Sequence, residues 1–196
     1  MKVYGDVGSG NCLKVKYVAD FLGMNYEWIP IDVLAGGAKS PDHLDRNPMG
    51  QIPVLMLDDG RYLAQSNAIM RYLAAGTRLL PTDPFAAAKV DEWLYWEQYS
   101  HEPYIAVCRF HMVYLKKTAS EREPFRVERG ESALALLNNM LGETPWLANG
   151  EPSIADIAVV AYSRLADEGG FDLHRYPSVV QWIARVEAHF GITPRE

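Results

Sequence analysis

The sequence predicts a chain in two parts, a small mixed α/β half followed by an all-helical half. Three observations carry this. Strand-like and helix-like stretches alternate over roughly the first 75 residues. A run rich in Gly, Thr, Pro and Asp follows, Gly76 to Pro84. Past it, strand patterns vanish and only helical spacing remains.

Lys2 to Tyr4 reads as a first strand, and Gly5 to Gly10 is glycine-rich and must be a loop. From Cys12 the apolar residues Leu13, Val15, Tyr17, Val18, Phe21 and Leu22 fall at helical spacing until Gly23 stops the helix. Tyr26 to Ile31 alternates, as a strand does. A helix separates it from the first strand, so the two should run parallel through a right-handed crossover. Val33 to Arg46 is broken by Gly36-Gly37 and Pro41, and reads as loop plus a short helix over Pro41 to Arg46. Val54 to Leu57, the turn Asp58-Asp59-Gly60, and Arg61 to Ala64 form an antiparallel hairpin. A helix over Asn67 to Ala75 closes the first half. The order βαβ then ββα is the thioredoxin-like arrangement.

The second half holds a long helical pattern over Phe85 to Lys117, with a kink expected at Pro103. Further helices are predicted over Ser120 to Leu141, Ile154 to Ala166 and Ser178 to His189. The domains are therefore 1–76 and 85–196, with 77–84 as linker. Ser153 and Asp156 form a capping box, in which hydroxyl and carboxylate satisfy the free N–H groups at a helix start. Asp156 should be buried and structural.

Composition is that of an ordinary soluble protein, with a net charge of −6 and no basic stripe, which makes nucleic acid an unsuited partner. The first residues lack the apolar core of a signal peptide, and no run is long enough to span a bilayer. Cys12 and Cys108 lie far apart, without a Cys-x-x-Cys, so a reducing cytoplasm is the expected location. The five histidines show no metal-ligand spacing, and no metal is expected.

The chemistry is concentrated in two stretches. Asn47-Pro48-Met49-Gly50-Gln51-Ile52-Pro53-Val54-Leu55 is a turn running into a strand that opens with proline. Proline has no N–H, so at a strand start it leaves neighbouring backbone groups able to face a ligand. The Ile52-Pro53 bond is predicted to be cis. Ala64-Gln65-Ser66-Asn67-Ala68-Ile69 puts a small hydroxyl residue, Ser66, at a helix N-cap, where free N–H groups attract a carboxylate. One ligand with a peptide backbone and a free carboxylate could use both.

Asn-Pro-x-Gly-x-x-Pro followed by Gln-Ser-x-Ala-Ile resembles the glutathione-binding half of a cytosolic glutathione S-transferase. The resemblance extends over nearly the whole chain. It implies a thioredoxin-like N-terminal domain and an all-α C-terminal bundle, a homodimer, and glutathione as co-substrate. It also implies that Ile52 and Pro53 pair with the cysteinyl backbone of glutathione and that Gln65 and Ser66 hold its γ-glutamyl carboxylate. Ser/Thr-x-x-Asp at Ser153 resembles the helical-domain signature of the same family.

The loop Gly8-Ser9-Gly10-Asn11-Cys12 sits at a helix N-terminus, where positive potential favours a thiolate. A hydroxyl or amide N–H donated to the sulfur stabilises only the charged form strongly. Ser9 is the first candidate, because Ser-x-x-Cys-x-x-Val resembles serine-type classes. Asn11 is the second, since bacterial disulfide-reducing relatives carry Thr/Ser-x-Asn here. Cys12 is third, one residue late for the class that forms a mixed disulfide. Tyr4 is expected to fill the sheet rather than act on the thiol. Lys39 and Gln51 are candidates for the glycine carboxylate.

The aromatic helix from Trp93 to Tyr104 is the expected wall of the second-substrate pocket, with Trp96, Tyr99 and Pro103 on one face. Tyr99 and Tyr104 are its candidate residues, with Arg109 and His111 weaker candidates for its polarity. The reading is a bacterial-type glutathione transferase, of the serine/asparagine-loop kind, whose thiolate attacks a small electrophile or a disulfide in a detoxification role. The alternatives are a disulfide reductase, isomerase or dehalogenase on the same fold, or a non-catalytic binding protein.

Overall fold

In the computed structural model, which describes residues 1–195, four strands form one mixed sheet in the order β2-β1-β3-β4. Strand β1 (Lys2–Gly5) runs into helix α1 (Gly10–Phe21), which returns the chain to β2 (Glu27–Pro30). β1 and β2 are parallel, with Val3 opposite Trp28. After α2 (Pro41–Arg46), β3 (Val54–Met56) pairs antiparallel with β1 and with β4 (Tyr62–Ala64). Helix α3 (Ser66–Leu73) packs against α1. Val3, Val15, Val18, Val54, Leu55, Ile69 and Met70 are almost wholly buried and form the core of this unit. Tyr4 is buried in the sheet with the Arg46 guanidinium 4.6 Å from its ring centre, as expected of a packing residue.

The chain folds as two compact units, Met1–Ala75 and a second beginning at Gly76. The stretch read as a linker is packed within the second. Leu79 is fully buried and its carbonyl accepts the Ile154 N–H at 3.2 Å. Asp83 caps α4 (Pro84–Trp96), accepting the Ala86 N–H at 2.8 Å. Polar turn residues gave this stretch its loop composition, and the two leucines among them bind it down.

The long helical run does not keep one pitch. A wide π-helical turn, Glu97–His101, follows α4, then α5 (Glu102–Arg109) and a second π turn, Phe110–Tyr114. Pro103 has no N–H to give to the carbonyl four residues back, and the wider turn absorbs the missing bond. Helix α6 (Pro124–Glu143) starts later than its apolar pattern suggests. A short 3₁₀ turn, Ala119–Glu121, comes first, and Pro124 sets the true start because proline suits a first helical position.

Helix α7 (Ile154–Ser163) is buried along its whole length, with α8 (Pro177–Phe190) against it. Its capping box is present as predicted, and Asp156 is fully buried. Leu147 N–H and Trp182 Nε1–H donate to its Oδ1 at 3.1 and 3.0 Å, and Ser153 N–H donates to its Oδ2 at 3.1 Å. Burial outweighs these donors and pushes the carboxyl pKa up to about 6. Among the described residues, no helix is long and apolar enough to cross a membrane.

Candidate functional site

The first unit brings three pieces of backbone together: the loop before α1, the turn into β3, and the turn into α3. Ile52-Pro53 is cis, as the motif predicts. The turn before it is held from several sides. His43 Nε2 and Asn47 Nδ2 each lie 2.9 Å from the Gln51 carbonyl, and both side chains are buried. With Nε2 protonated, two donors converge on one carbonyl oxygen, which has two lone pairs to receive them. Asn47 Oδ1 accepts the Met49 N–H at 3.2 Å, and Lys39 Nζ donates to the Met49 carbonyl at 3.2 Å. Gly50 has φ +60°, a backbone conformation that favours glycine, and a Cβ there would also meet the Ala38 carbonyl at 3.0 Å.

Sequence reasoning passed over His43. Its place on α2, four residues before Asn47, the residue that caps the helix, was the available signal. Lys39 and Gln51 are both exposed beside this turn.

At the next turn, Gln65 is the N-cap of α3 with φ 70°, and Ser66 is the first helical residue rather than the cap. Gln65 is exposed, and its Nε2 lies 3.5 Å from Met49 Sδ. Ser66 is 4% exposed, and its hydroxyl donates to Asn11 Oδ1 at 3.0 Å. The same oxygen accepts from Lys14 Nζ at 2.8 Å. Lys14 is fully buried, and sequence reasoning did not single it out. A lysine inside the apolar stripe Leu13, Val15, Val18 was the signal.

Ser9 is the N-cap of α1, and its side chain makes no capping hydrogen bond. Its hydroxyl instead hydrogen-bonds the Cys12 sulfur, which also lies 3.5 Å from the Asp6 N–H. Asp6 Oδ1 accepts the Gly8 N–H at 2.8 Å and stiffens the loop. Cys12 is fully buried, and burial pushes its thiol up to about 11. At pH 8 only about one thiol in a thousand is then ionised, so Cys12 is poorly suited to be a nucleophile. Burial also raises the Cys108 thiol, which is 1% exposed. Neither cysteine should react with a water-soluble thiol reagent in the native protein, while both should after unfolding. Mass-spectrometric counting of labelled thiols at pH 8 checks this, and rapid native labelling of Cys12 would contradict it.

In the second unit, Tyr99 and Tyr104 line one open recess of about 470 Å³ with Trp96, Phe125 and Arg129. Residues five apart stack on one side of a π turn, which is why Tyr104 joins Tyr99 here in place of the expected Pro103. Arg109 is not part of that recess. It is 8% exposed, and its Nε donates to Glu168 Oε2 at 2.6 Å, so it ties α5 to the turn Ala166–Gly169. His111 lies beyond it in the second π turn. The cation at the recess is Arg129. No group of three or more His, Cys, Asp or Glu gathers to hold a metal among the described residues.

Comparison with known proteins agrees with this geometry. Residues 1–75 match the model "Glutathione S-transferase, N-terminal domain", and residues 101–194 match "Glutathione S-transferase, C-terminal domain". The chain is 33% identical over 165 residues to glutathione S-transferase 3 of Zea mays, covering 80% of this chain and 73% of the relative. The chain belongs to the glutathione S-transferase family. A solved glutathione S-transferase from Pseudomonas fluorescens superimposes with a TM-score of 0.92 at 47% identity, covering 96% of this chain and 94% of that one. Another from Xanthobacter autotrophicus gives 0.92 at 42% identity, covering 98% and 95%. The chain is a glutathione transferase in fold and family, and the glutathione S-transferase family uses glutathione as a substrate. The two bacterial structures are more similar in sequence than the plant relative.

Proposed function

We propose that this chain binds glutathione along Ile52-Pro53, with the γ-glutamyl carboxylate at the Gln65-Ser66 turn, and that its thiolate attacks a small electrophile. The observation that carries the reading is the hydrogen bond from Ser66 to Asn11. It joins the start of α3 to the loop at the start of α1. One tripeptide, about 10 Å long when extended, can therefore span a carboxylate site and a thiol site. Two helix N-termini favour negative charge at its two anionic groups.

Ser9 is the first candidate for stabilising the thiolate. Its hydroxyl leaves Cys12 by a rotation about one side-chain bond, between staggered positions. Asn11 has its oxygen committed to Ser66 and Lys14, so only its Nδ2 end could serve a sulfur. Lys39 and Gln51, both exposed beside the turn into β3, are the candidates for the glycine carboxylate. In the reaction the thiolate sulfur bonds to the electrophilic carbon, and the leaving group departs with the bonding electrons.

Tyr99 and Tyr104 are the candidates to receive the second substrate, with Arg129 in place of Arg109. A homodimer belongs to the same reading, since members of the family are generally dimeric. Cytoplasmic location and a detoxification role fit this reading.

Calorimetric titration with glutathione tests the binding, and no heat at millimolar ligand would sink it. Turnover of a chloroaromatic compound, set against reduction of a mixed disulfide of glutathione, then separates conjugation from disulfide reduction. Light scattering of the purified protein gives the oligomeric state.

A further inference from the structure

Lys14 lies on α1, is fully buried, and belongs to no motif that the glutathione reading uses. Its ammonium can only donate hydrogen bonds, so the Asn11 atom 2.8 Å away must be the amide oxygen. That fixes which way the Asn11 amide faces. An amide oxygen can only accept, so the Ser66 hydroxyl, 3.0 Å from the same atom, must donate to it. The hydrogen of Ser66 is thereby directed inward to Asn11. What Ser66 turns to a ligand is its backbone N–H at the helix start and the lone pairs of its oxygen. Both contacts share one oxygen, so the ammonium lies no more than about 6 Å from the Ser66 hydroxyl. A positive charge at that range, away from water, favours an anion strongly.

We propose that Lys14 is a positioning residue for the γ-glutamyl carboxylate: it acts through Asn11 to orient Ser66, and its buried charge adds to the potential of the α3 N-terminus. This rests on the glutathione reading above and extends it. The lysine lies behind the site rather than in it, so it selects for a carboxylate without contacting one. Helix dipole and ammonium act in the same direction, the first from α3 and the second from α1. The same linkage ties the thiol loop to the carboxylate turn, so a change at Lys14 should be felt as lost affinity before lost chemistry.

Three ligands separate this role from a merely structural one. Glutathione has the carboxylate and the amine. Glutaryl-cysteinyl-glycine keeps the carboxylate and lacks the amine. 4-Aminobutyryl-cysteinyl-glycine keeps the amine and lacks the carboxylate. In the full-length protein, Lys14→Met should weaken glutathione and the glutaryl analogue about tenfold, and the aminobutyryl analogue less than about twofold. The KM for glutathione should rise by a larger factor than kcat falls. Equal losses for all three ligands, or no loss for any, would overturn the proposal.

If Lys14→Met does not fold, Asn11 supplies the test. Asn11→Gln keeps a neutral amide acceptor for both partners and should keep the preference for carboxylate ligands. Asn11→Ala removes it and should abolish most of that preference. Equal preference in the two variants would refute the relay. A wild-type chain that binds none of the three ligands brings down the glutathione reading as well. A wild type that binds glutathione, with variants that discriminate as it does, brings down this inference alone.

Discussion

Asp156→Ala should lower the melting temperature by on the order of 10 °C, the largest stability effect expected of any single substitution here. The carboxylate receives the Leu147 N–H, the Ser153 N–H and Trp182 Nε1–H, all of them in the core of the second unit. Removing it leaves three buried donors without an acceptor. Each would cost about 1–3 kcal/mol in isolation, and partial relaxation brings the sum to roughly 4 kcal/mol. Part of this is the lost cap of α7, typically about 1 kcal/mol. Asp156→Asn should fall between, because the amide keeps one acceptor but turns an NH₂ towards a donor. Thermal denaturation by circular dichroism measures both. A drop of less than 3 °C for the alanine variant would mean that the box is ornamental to the fold.

The same residue predicts a pH dependence whose sign is unusual for a capped aspartate. Burial raises its pKa from 3.8 to about 6. A carboxyl with a raised folded-state pKa binds more protons folded than unfolded between those values. Its contribution to stability is therefore full below about pH 4 and is lost as pH rises through 6. The shift of about two units corresponds to roughly 3 kcal/mol. Stability of the wild type relative to Asp156→Asn should accordingly shrink between pH 4 and 7. A difference that grows over this range would show that the three donors outweigh burial.

The sequence discloses features set by local chemistry. The βαβ and ββα orders follow from short-range alternation, and the Asp58-Asp59-Gly60 turn fixes the hairpin. The Ser153–Asp156 box and the cis Ile52-Pro53 bond are also local. What stays hidden depends on partners distant in sequence. Arg109 reads as a free cation on an aromatic helix, yet Glu168, 59 residues on, claims it. The contact of buried Lys14 with Asn11 is local, yet Asn11 meets Ser66, 55 residues on, only through the fold. The π turn hides as well. A missing N–H at Pro103 predicts a disturbance but not whether the chain kinks or widens. That choice decides whether Pro103 or Tyr104 stands beside Tyr99. Likewise the apolar content of 77–83 is slight, and only packing shows that Leu79 anchors it.

Ser9→Ala should lower kcat/KM for conjugation at pH 6.5 by about a hundredfold, the largest effect expected on activity. The argument is one of charge. A hydroxyl hydrogen donated to sulfur favours the thiolate over the thiol, because only the charged form is a strong acceptor. Without it the bound thiol should return towards the ordinary range near 8.5, and ionisation rather than attack becomes limiting at low pH. The loss should therefore shrink as pH rises, and should largely vanish above about pH 9. The position of Ser9 makes the test clean. It is an N-cap whose side chain forms no capping bond, so alanine removes only the hydroxyl's hydrogen bond to the Cys12 sulfur. Melting temperature should stay within a few degrees while the pH profile moves. Asn11→Ala and Cys12→Ala, run beside it, assign the loop. If the profile moves only for Asn11→Ala, the amide holds the thiolate and Ser9 serves Cys12 alone. If it moves only for Cys12→Ala, the buried sulfur is the working group, against its raised pKa. Superimposable profiles for wild type and Ser9→Ala would remove the hydroxyl from the mechanism.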